Sequence, residues 1–257
     1  MEITKEKNII LNFLDRYKTE TQCRGVVLGL SGGKDSTVVA MLAKKVWGDN
    51  VLCLSMPNGK QTDLQDAIDI ASALNIEHKI VNIETIYNNL IHVVENKIPT
   101  HTHSPDFEQN CPPITSKAKT NISPRIRMTI LYAVAQSIGY RVIGTSNYSE
   151  TYIGWSTKWG DSAYDINPIA HLTCTEVIEL GKNLAEEFGL DKKYIIKTPA
   201  DGLTGKSDEE NFGFSYRELD DVINGKKKDE TITNMFDASK HKRLPPLKLP
   251  RMNNEVF

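Results

Sequence analysis

Short apolar runs alternating with stretches of helical periodicity constrain this chain more than any other feature of its 257 residues. "GVVLGL" (25–30), "VLCLSM" (51–56), "HKIVNI" (78–83), "RVIG" (141–144) and "YIIK" (194–197) read as short buried strands. Between them apolar residues recur every three or four positions, as on a helix face. Ile9, Ile10, Phe13, Leu14 and Tyr17 make such a stripe before the first strand. Leu64, Ala67, Ile68, Ala71 and Leu74 make another, behind a capping box of Thr62 and Gln65. Pro124 is expected in the first turn of a helix carrying Ile126, Ile130, Leu131, Val134 and Ile138. Thr173 and Glu176 form a second capping box ahead of Val177, Leu180, Leu184 and Phe188, and Gly189 stands where that helix should end. This alternation predicts an α/β fold: a parallel twisted sheet with helices on both faces, binding its ligand at the carboxyl ends of the strands.

Two stretches break the pattern. Residues 99–121 are polar and proline-bearing, and residues 199–214 are rich in Gly and Asp. Both read as long loops, which in a compact protein are functional lids or disordered segments. No repeat or linker divides the chain, so one domain spanning 1–257 is expected. A formal net charge of -2 gives no basic field for nucleic acid or a membrane surface. No apolar run approaches the roughly 18 residues of a membrane span. The charged amphipathic start is not a signal peptide. Cys23, Cys53, Cys111 and Cys174 are widely spaced, with no CxxC and no zinc-like Cys/His spacing. These features predict a reduced, cytoplasmic protein with free thiols.

The stretch "LGLSGGKDS" (28–36) joins the first strand to the next helix. Strand, Gly-Ser turn, helix is the layout of a phosphate cradle, because glycines let successive N–H groups point inward at the positive end of a helix. A Walker A loop does not fit: Leu28 stands where its first Gly belongs, and Asp35 where Ser or Thr belongs. A GxGxxG fingerprint fails too, since Gly29, Gly32 and Gly33 have the wrong spacing.

The pattern SGGxDS instead resembles the PP-loop of the ATP pyrophosphatases, which cleave ATP between its α- and β-phosphates. Four further stretches narrow the resemblance: "NISPRIRM" (121–128), "GTSNYSE" (144–150), "GWSTKWGDSAYDINP" (154–168) and "KHKRLPP" (240–246). In this order and spacing the chain resembles the ammonia-dependent NAD synthetases from its first helix to the HKR segment. The resemblance implies an adenine nucleotide alpha hydrolase-like, Rossmann-like fold. It also implies a two-step reaction: the carboxylate of deamido-NAD attacks the α-phosphate of ATP to give an adenylate and pyrophosphate, and ammonia then displaces AMP to give NAD. ATP is the co-substrate and Mg²⁺ the cofactor.

Carried onto this sequence, the resemblance gives ATP to Gly29, Leu30, Ser31, Gly32, Gly33, Lys34, Asp35 and Ser36, and to Thr145 and the positions of Cys174 and Ala200. It gives Mg²⁺ to Asp35 and Glu150, and deamido-NAD to Arg125, Lys158, Asp165, His241 and Lys242. Arg125 is the expected ligand over Arg127, which neighbours the core stripe. Two positions depart from the pattern. The family usually has Lys or Arg at Cys174, so either ATP affinity is weaker or Lys182 or another cation substitutes; Ala200 replaces a common Ser or Thr. The resemblance further implies a homodimer with deamido-NAD across the interface, for which the helices around 84–96 and 122–139 would supply an apolar face. One helix before the turn leaves no room for a glutaminase domain, so free ammonia is the expected donor. Residues 205–223 resemble a mobile acidic lid. Two alternatives stay open from the turn alone: a PP-loop tRNA-modifying enzyme and a non-catalytic ATP-binding protein.

Overall fold

Successive residues of the first apolar run face opposite ways. Val26 and Leu28 enter one core, and Val27 enters a second core on the other side of the sheet. A strand buried on both faces needs an unbroken apolar sequence, which is why this run shows no polar alternation. The computed structural model describes residues 2–61, 63–97, 114–197 and 207–249. In it the run becomes β1 (Val26–Gly29), paired in parallel with β2 (Val51–Ser55) and β4 (Arg141–Val142), while β3 (Glu77–Ile80) pairs with β2. Val26 lies opposite Val51 on one side and Arg141 on the other.

The strand order is β3-β2-β1-β4. After α1 (Ile3–Glu20), the chain steps outward from β1 through α2 (Lys34–Trp47), β2 and α3 (Leu64–Ala73) to β3. It then returns through α4 (Glu84–Lys97) and α5 (Ser116–Ile138) to β4, beyond β1. The reversal between β1 and β4 opens a crevice at their carboxyl ends. On one face of the sheet Ile10 and Leu14 of α1 and Val38, Met41 and Leu42 of α2 pack with Val177, Leu180 and Leu184 of α7 (Cys174–Phe188). Each fully buried side chain of this kind stabilises the fold by roughly 1.5–3 kcal/mol. On the other face α5 covers Val27, Leu54 and Val142 with Ile126 and Ala135. A third cluster joins α6 (Tyr148–Ile153) to α9 (Asp208–Phe212), α10 (Tyr216–Ile223) and α11 (Glu230–Ala238).

The capping box at Thr173 forms as expected, and Gly189 ends α7 in the left-handed region at φ 65°. Four expectations are corrected. The stretch 78–83 is not a buried strand: β3 ends at Ile80 and lies at the sheet edge with Glu77, Lys79 and Ile80 exposed. Residues 194–197 are not a strand: Lys193–Ile196 form the short helix α8, because Asp191 accepts the Lys193 N–H at 2.8 Å and Ile195 is buried in the α2–α7 core. Pro124 does not start its helix. Thr115 caps α5 nine residues earlier, and Pro124 sits buried inside. There it leaves the Thr120 carbonyl without its helical donor, a loss of about 3 kcal/mol in an ordinary helix interior. The loop read over 199–214 is helical at its described end, because Ser207 and Glu210 cap α9 reciprocally and Phe212 buries itself. The Thr62 capping box, Cys111 and Ala200 lie outside the described residues.

Candidate active site at the ends of β1 and β4

The turn after β1 is held open from within. Gly32 has φ +84°, and a Cβ there would stand 2.6 Å from the Asp63 carbonyl oxygen at the start of α3. Only glycine satisfies both conditions. Ser36 donates to the Gly33 carbonyl at 3.0 Å, and its Oγ lies 3.1 Å from Ser31 Oγ. Ser31 Oγ in turn accepts the Gly33 N–H at 3.2 Å. The two serines therefore brace the turn, and Gly33 caps α2 by backbone alone. The positive end of α2, unbalanced by a side-chain cap, is left facing the crevice.

A second short helix starts beside it. Gly144 follows β4, and Asn147 caps α6 with its side-chain oxygen on the Glu150 N–H at 2.9 Å. Glu150 returns the bond to the Asn147 N–H at 3.2 Å. That fixes the amide's orientation, so Asn147 Nδ2 donates to Asp35 Oδ1 at 3.1 Å. One fully buried asparagine thus ties the carboxylate of α2 to that of α6. Burial, then the neighbouring Asp35, pushes the Glu150 carboxyl well above the usual carboxylate range. By surface area Glu150 is half-buried: it opens toward the cavity while protein crowds its other sides.

Lys34 completes this cluster from below. It is buried, with Nζ 2.7 Å from Asp35 Oδ2 and 5.3 Å from the centre of the Tyr216 ring. Burial works against its charge, but Asp35, Cys174 and Glu150 outweigh that and hold the ammonium above its ordinary value. Tyr216 donates its hydroxyl to Asp208 Oδ2 at 2.8 Å, bringing α9 and α10 over the turn. Behind them, buried Asp220 accepts the Thr175 N–H at 2.9 Å, the Thr175 hydroxyl at 2.6 Å and the Ser149 hydroxyl. This locks α10 to the starts of α6 and α7.

The far end of α6 is gripped from a distance in sequence. Arg243, in α12 (Lys240–Arg243), donates to the Tyr152 carbonyl at 2.8 Å and lies 4.0 Å over the Phe236 ring. Lys242 donates to the Gly154 and Ser156 carbonyls at 2.7 and 2.6 Å.

A cavity of about 520 Å³ fills the crevice. Of the residues singled out from sequence, Gly29, Leu30, Ser31, Gly33, Lys34, Asp35, Ser36, Thr145, Glu150 and Lys242 line it. Gly32 lies inside the turn, against α3. Cys174 is buried at the first position of α7, beneath Lys34, and burial pushes its thiol up. Lys182 pairs with Glu179 at 2.9 Å and does not line the cavity. Arg125, Lys158 and His241 form a chain just outside it: Arg125 donates to the Lys158 carbonyl at 3.3 Å, and Lys158 to the His241 carbonyl at 2.8 Å. Asp165 is apart from both, accepting the Val142 N–H at 2.8 Å. The cavity wall also holds Arg127, which donates to the Met56 carbonyl at 2.9 Å, and Lys197, which is ion-paired with Asp63 and Asp66. Arg127 was set aside in favour of Arg125 because it neighbours the core stripe, yet it is Arg127 that lines the cavity; Lys197 was read as part of a strand.

The donor set fits a hard cation. Two carboxylates are drawn into one enclosed polar site, and all their oxygens are hard ligands. Among the described residues no three His, Cys, Asp or Glu side chains cluster to hold an ion unaided. Such an ion would take its remaining ligands from phosphate or water, as Mg²⁺ does.

Comparison with known proteins agrees with this geometry. Residues 6–249 match the family described as NAD synthase. The NH(3)-dependent NAD(+) synthetase of Carboxydothermus hydrogenoformans is 37% identical over 92% of this chain and 93% of its own. The solved NMN synthetase of Francisella tularensis is 34% identical, covers 98% of this chain and all of its own, and superposes with a TM-score of 0.82. The NH3-dependent NAD synthetase of Campylobacter jejuni is 28% identical over 97% of this chain and all of its own, with a TM-score of 0.72. With a family match over residues 6–249 and a relative 37% identical over 92% of its length, this chain belongs to the NAD synthase family.

Proposed function

We propose that this chain amidates deamido-NAD with free ammonia, spending ATP as AMP and pyrophosphate, in the last step of NAD formation. The observation that carries the reading is the Asn147 bridge, which ties the turn's Asp35 to Glu150 at the edge of one cavity. A carboxylate is a poor electrophile, and adenylation gives it a good leaving group. The turn's N–H groups and the positive end of α2 would take the β- and γ-phosphates. Thr145 takes the nucleotide at the wall opposite. Asp35 and Glu150 would hold Mg²⁺. When bound, that ion neutralises charge developing on the phosphate oxygens. Arg127 and Lys242 supply cationic walls for an anionic substrate. The described lining offers no Ser-His-Asp or Cys-His arrangement, in keeping with a reaction that proceeds through a substrate adenylate.

The chain Arg125–Lys158–His241, with exposed Trp159 beside it, supports a second contact area outside the cavity for the remote half of a dinucleotide. Exposed Ile86, Leu90 and Val93 lie at helical spacing on α4 and support a homodimer. The free thiols of Cys23, Cys53 and Cys174 support a cytoplasmic setting, and no described helix is long and apolar enough to cross a membrane. We read the whole chain as one domain acting on free ammonia.

The test is NAD formation from ammonium, ATP and Mg²⁺, comparing the wild type with Asp35→Ala and Glu150→Ala. Each variant should lose turnover by at least ~100-fold. Release of ADP and orthophosphate, or of AMP without an acid substrate, would overturn the reading. A second reading follows from the Francisella tularensis neighbour, whose fold superposes better than that of the Campylobacter jejuni enzyme: the acid is nicotinate mononucleotide. The same assay with both acids decides it. Lys158→Ala should raise KM for deamido-NAD only if the dinucleotide is the substrate.

A further inference from the structure

The metal-binding carboxylates of this chain already have a cation. Lys34 belongs to the turn itself, yet its side chain does not extend into solvent. It runs inward, 4% exposed, to place Nζ on Asp35 Oδ2, over the Tyr216 ring and within electrostatic reach of Glu150. Two carboxylates sharing an enclosed site repel each other, and a positive charge between them removes that cost. Of the other lysines lining the cavity, Lys197 is paired with Asp63 and Asp66, Lys242 is bonded to two carbonyls, and Lys117 lines it from α5; among the described residues Lys34 is the one ion-paired with Asp35. The burial of Lys34 makes it a fixed part of the site, since desolvating an unpaired ammonium is prohibitive.

We propose that Lys34 is a built-in counter-ion of the Asp35–Glu150 pair, which keeps the free protein from taking up a divalent cation alone and couples metal entry to the arrival of a nucleotide. A divalent ion approaching the empty-handed protein must displace the ammonium from its carboxylate. The further carboxylate of the cluster, Asp208, already accepts the Tyr216 hydroxyl, so the displaced ammonium gives up its direct ion pair with Asp35. A polyphosphate supplies a new partner, because Lys34 lines the cavity beside the turn and can exchange Asp35 for a phosphate oxygen. Metal and nucleotide therefore help each other to bind, by the same factor in either order. The inference rests on Asp35 and Glu150 being the metal ligands.

The test is Mn²⁺ binding to the nucleotide-free protein, followed by the loss of the free-ion electron paramagnetic resonance signal, then repeated with ATP and no acid substrate. Lys34→Gln should bind Mn²⁺ alone at least tenfold more tightly than the wild type, and its gain on adding ATP should shrink by a similar factor. Lys34→Arg keeps the charge and should behave as the wild type. Lys34→Met serves in place of Lys34→Gln should the latter not fold. Unchanged or weaker Mn²⁺ affinity in the neutral variant overturns the proposal, as does Lys34→Arg behaving like Lys34→Gln. Asp35→Asn in the same titration separates the two readings. If it abolishes binding while Lys34→Gln changes nothing, only the counter-ion role fails. If it leaves binding intact, the metal assignment fails and takes the proposal with it.

Discussion

Replacing Asn147 with alanine removes two interactions that can be measured apart. The side chain caps α6 through the Glu150 N–H at 2.9 Å, and it donates to the Asp35 carboxylate at 3.1 Å. Loss of an N-cap costs about 1 kcal/mol. Loss of a hydrogen bond to a charged group costs about 2 kcal/mol in a buried setting. Asn147 is fully buried, so water does not replace either bond. Asn147→Ala should therefore lose about 3 kcal/mol, which for a chain of this size lowers Tm by roughly 6–12 °C. Asn147→Ser keeps a capping oxygen and loses only the bridge, so it should lose about 2 kcal/mol. Asn147→Asp also keeps the cap but sets a like charge beside Asp35. It should be the least stable of the three without metal at pH 7.5, and should recover most on adding Mg²⁺. Urea unfolding followed by circular dichroism, with EDTA or Mg²⁺, reads all three. Equal losses for Ala and Ser, or both within ~0.5 kcal/mol of the wild type, would refute the bridge.

Gly32→Ala must bear a side chain at φ +84° against the Asp63 carbonyl, so it should cost well over ~1 kcal/mol and weaken ATP binding in calorimetry at least tenfold. Asp220→Ala strands the buried Ser149 hydroxyl and two partly exposed donors of Thr175 and should cost about 2 kcal/mol in urea unfolding, whereas half-exposed Asp221→Ala should stay within ~0.5 kcal/mol. Burial lowers the His78 pKa below its ordinary value, so the unfolded chain binds the extra proton first as pH falls. Stability should drop on acidification through about pH 6.5, and His78→Gln should flatten that slope in urea midpoints taken from pH 5 to 8.

The sheet was legible because a strand buried on both faces must be apolar throughout, and β1 and β2 are. The turn was legible because Gly32 meets a requirement no other residue can. The run Tyr194–Ile195–Ile196 looked like a strand for the same apolar reason, but Asp191 accepts the Lys193 N–H at the start of a helical turn that carries Ile195 into the α2–α7 core. Three reciprocal caps, Asn147 with Glu150, Ser207 with Glu210 and Ser215 with Glu218, were visible as a polar residue followed three positions later by Glu. Reading them would have placed α6, α9 and α10 from sequence. The true start of α5 was hidden, because its first turns, "SKAKTN", carry no apolar period. The grips of Lys242 and Arg243 on the 151–156 backbone bind carbonyls, which every residue has, so no side-chain pattern could announce them.

Those grips also set an order of events. The turn, the asparagine bridge and the arginine clasp come from stretches of sequence that leave the ribosome far apart in time. The six-residue helix bearing Glu150 is too short to hold itself together in water. A nascent chain can lay down the sheet early, but the clasp on the 151–156 backbone forms only once residue 243 has been synthesised and has folded back.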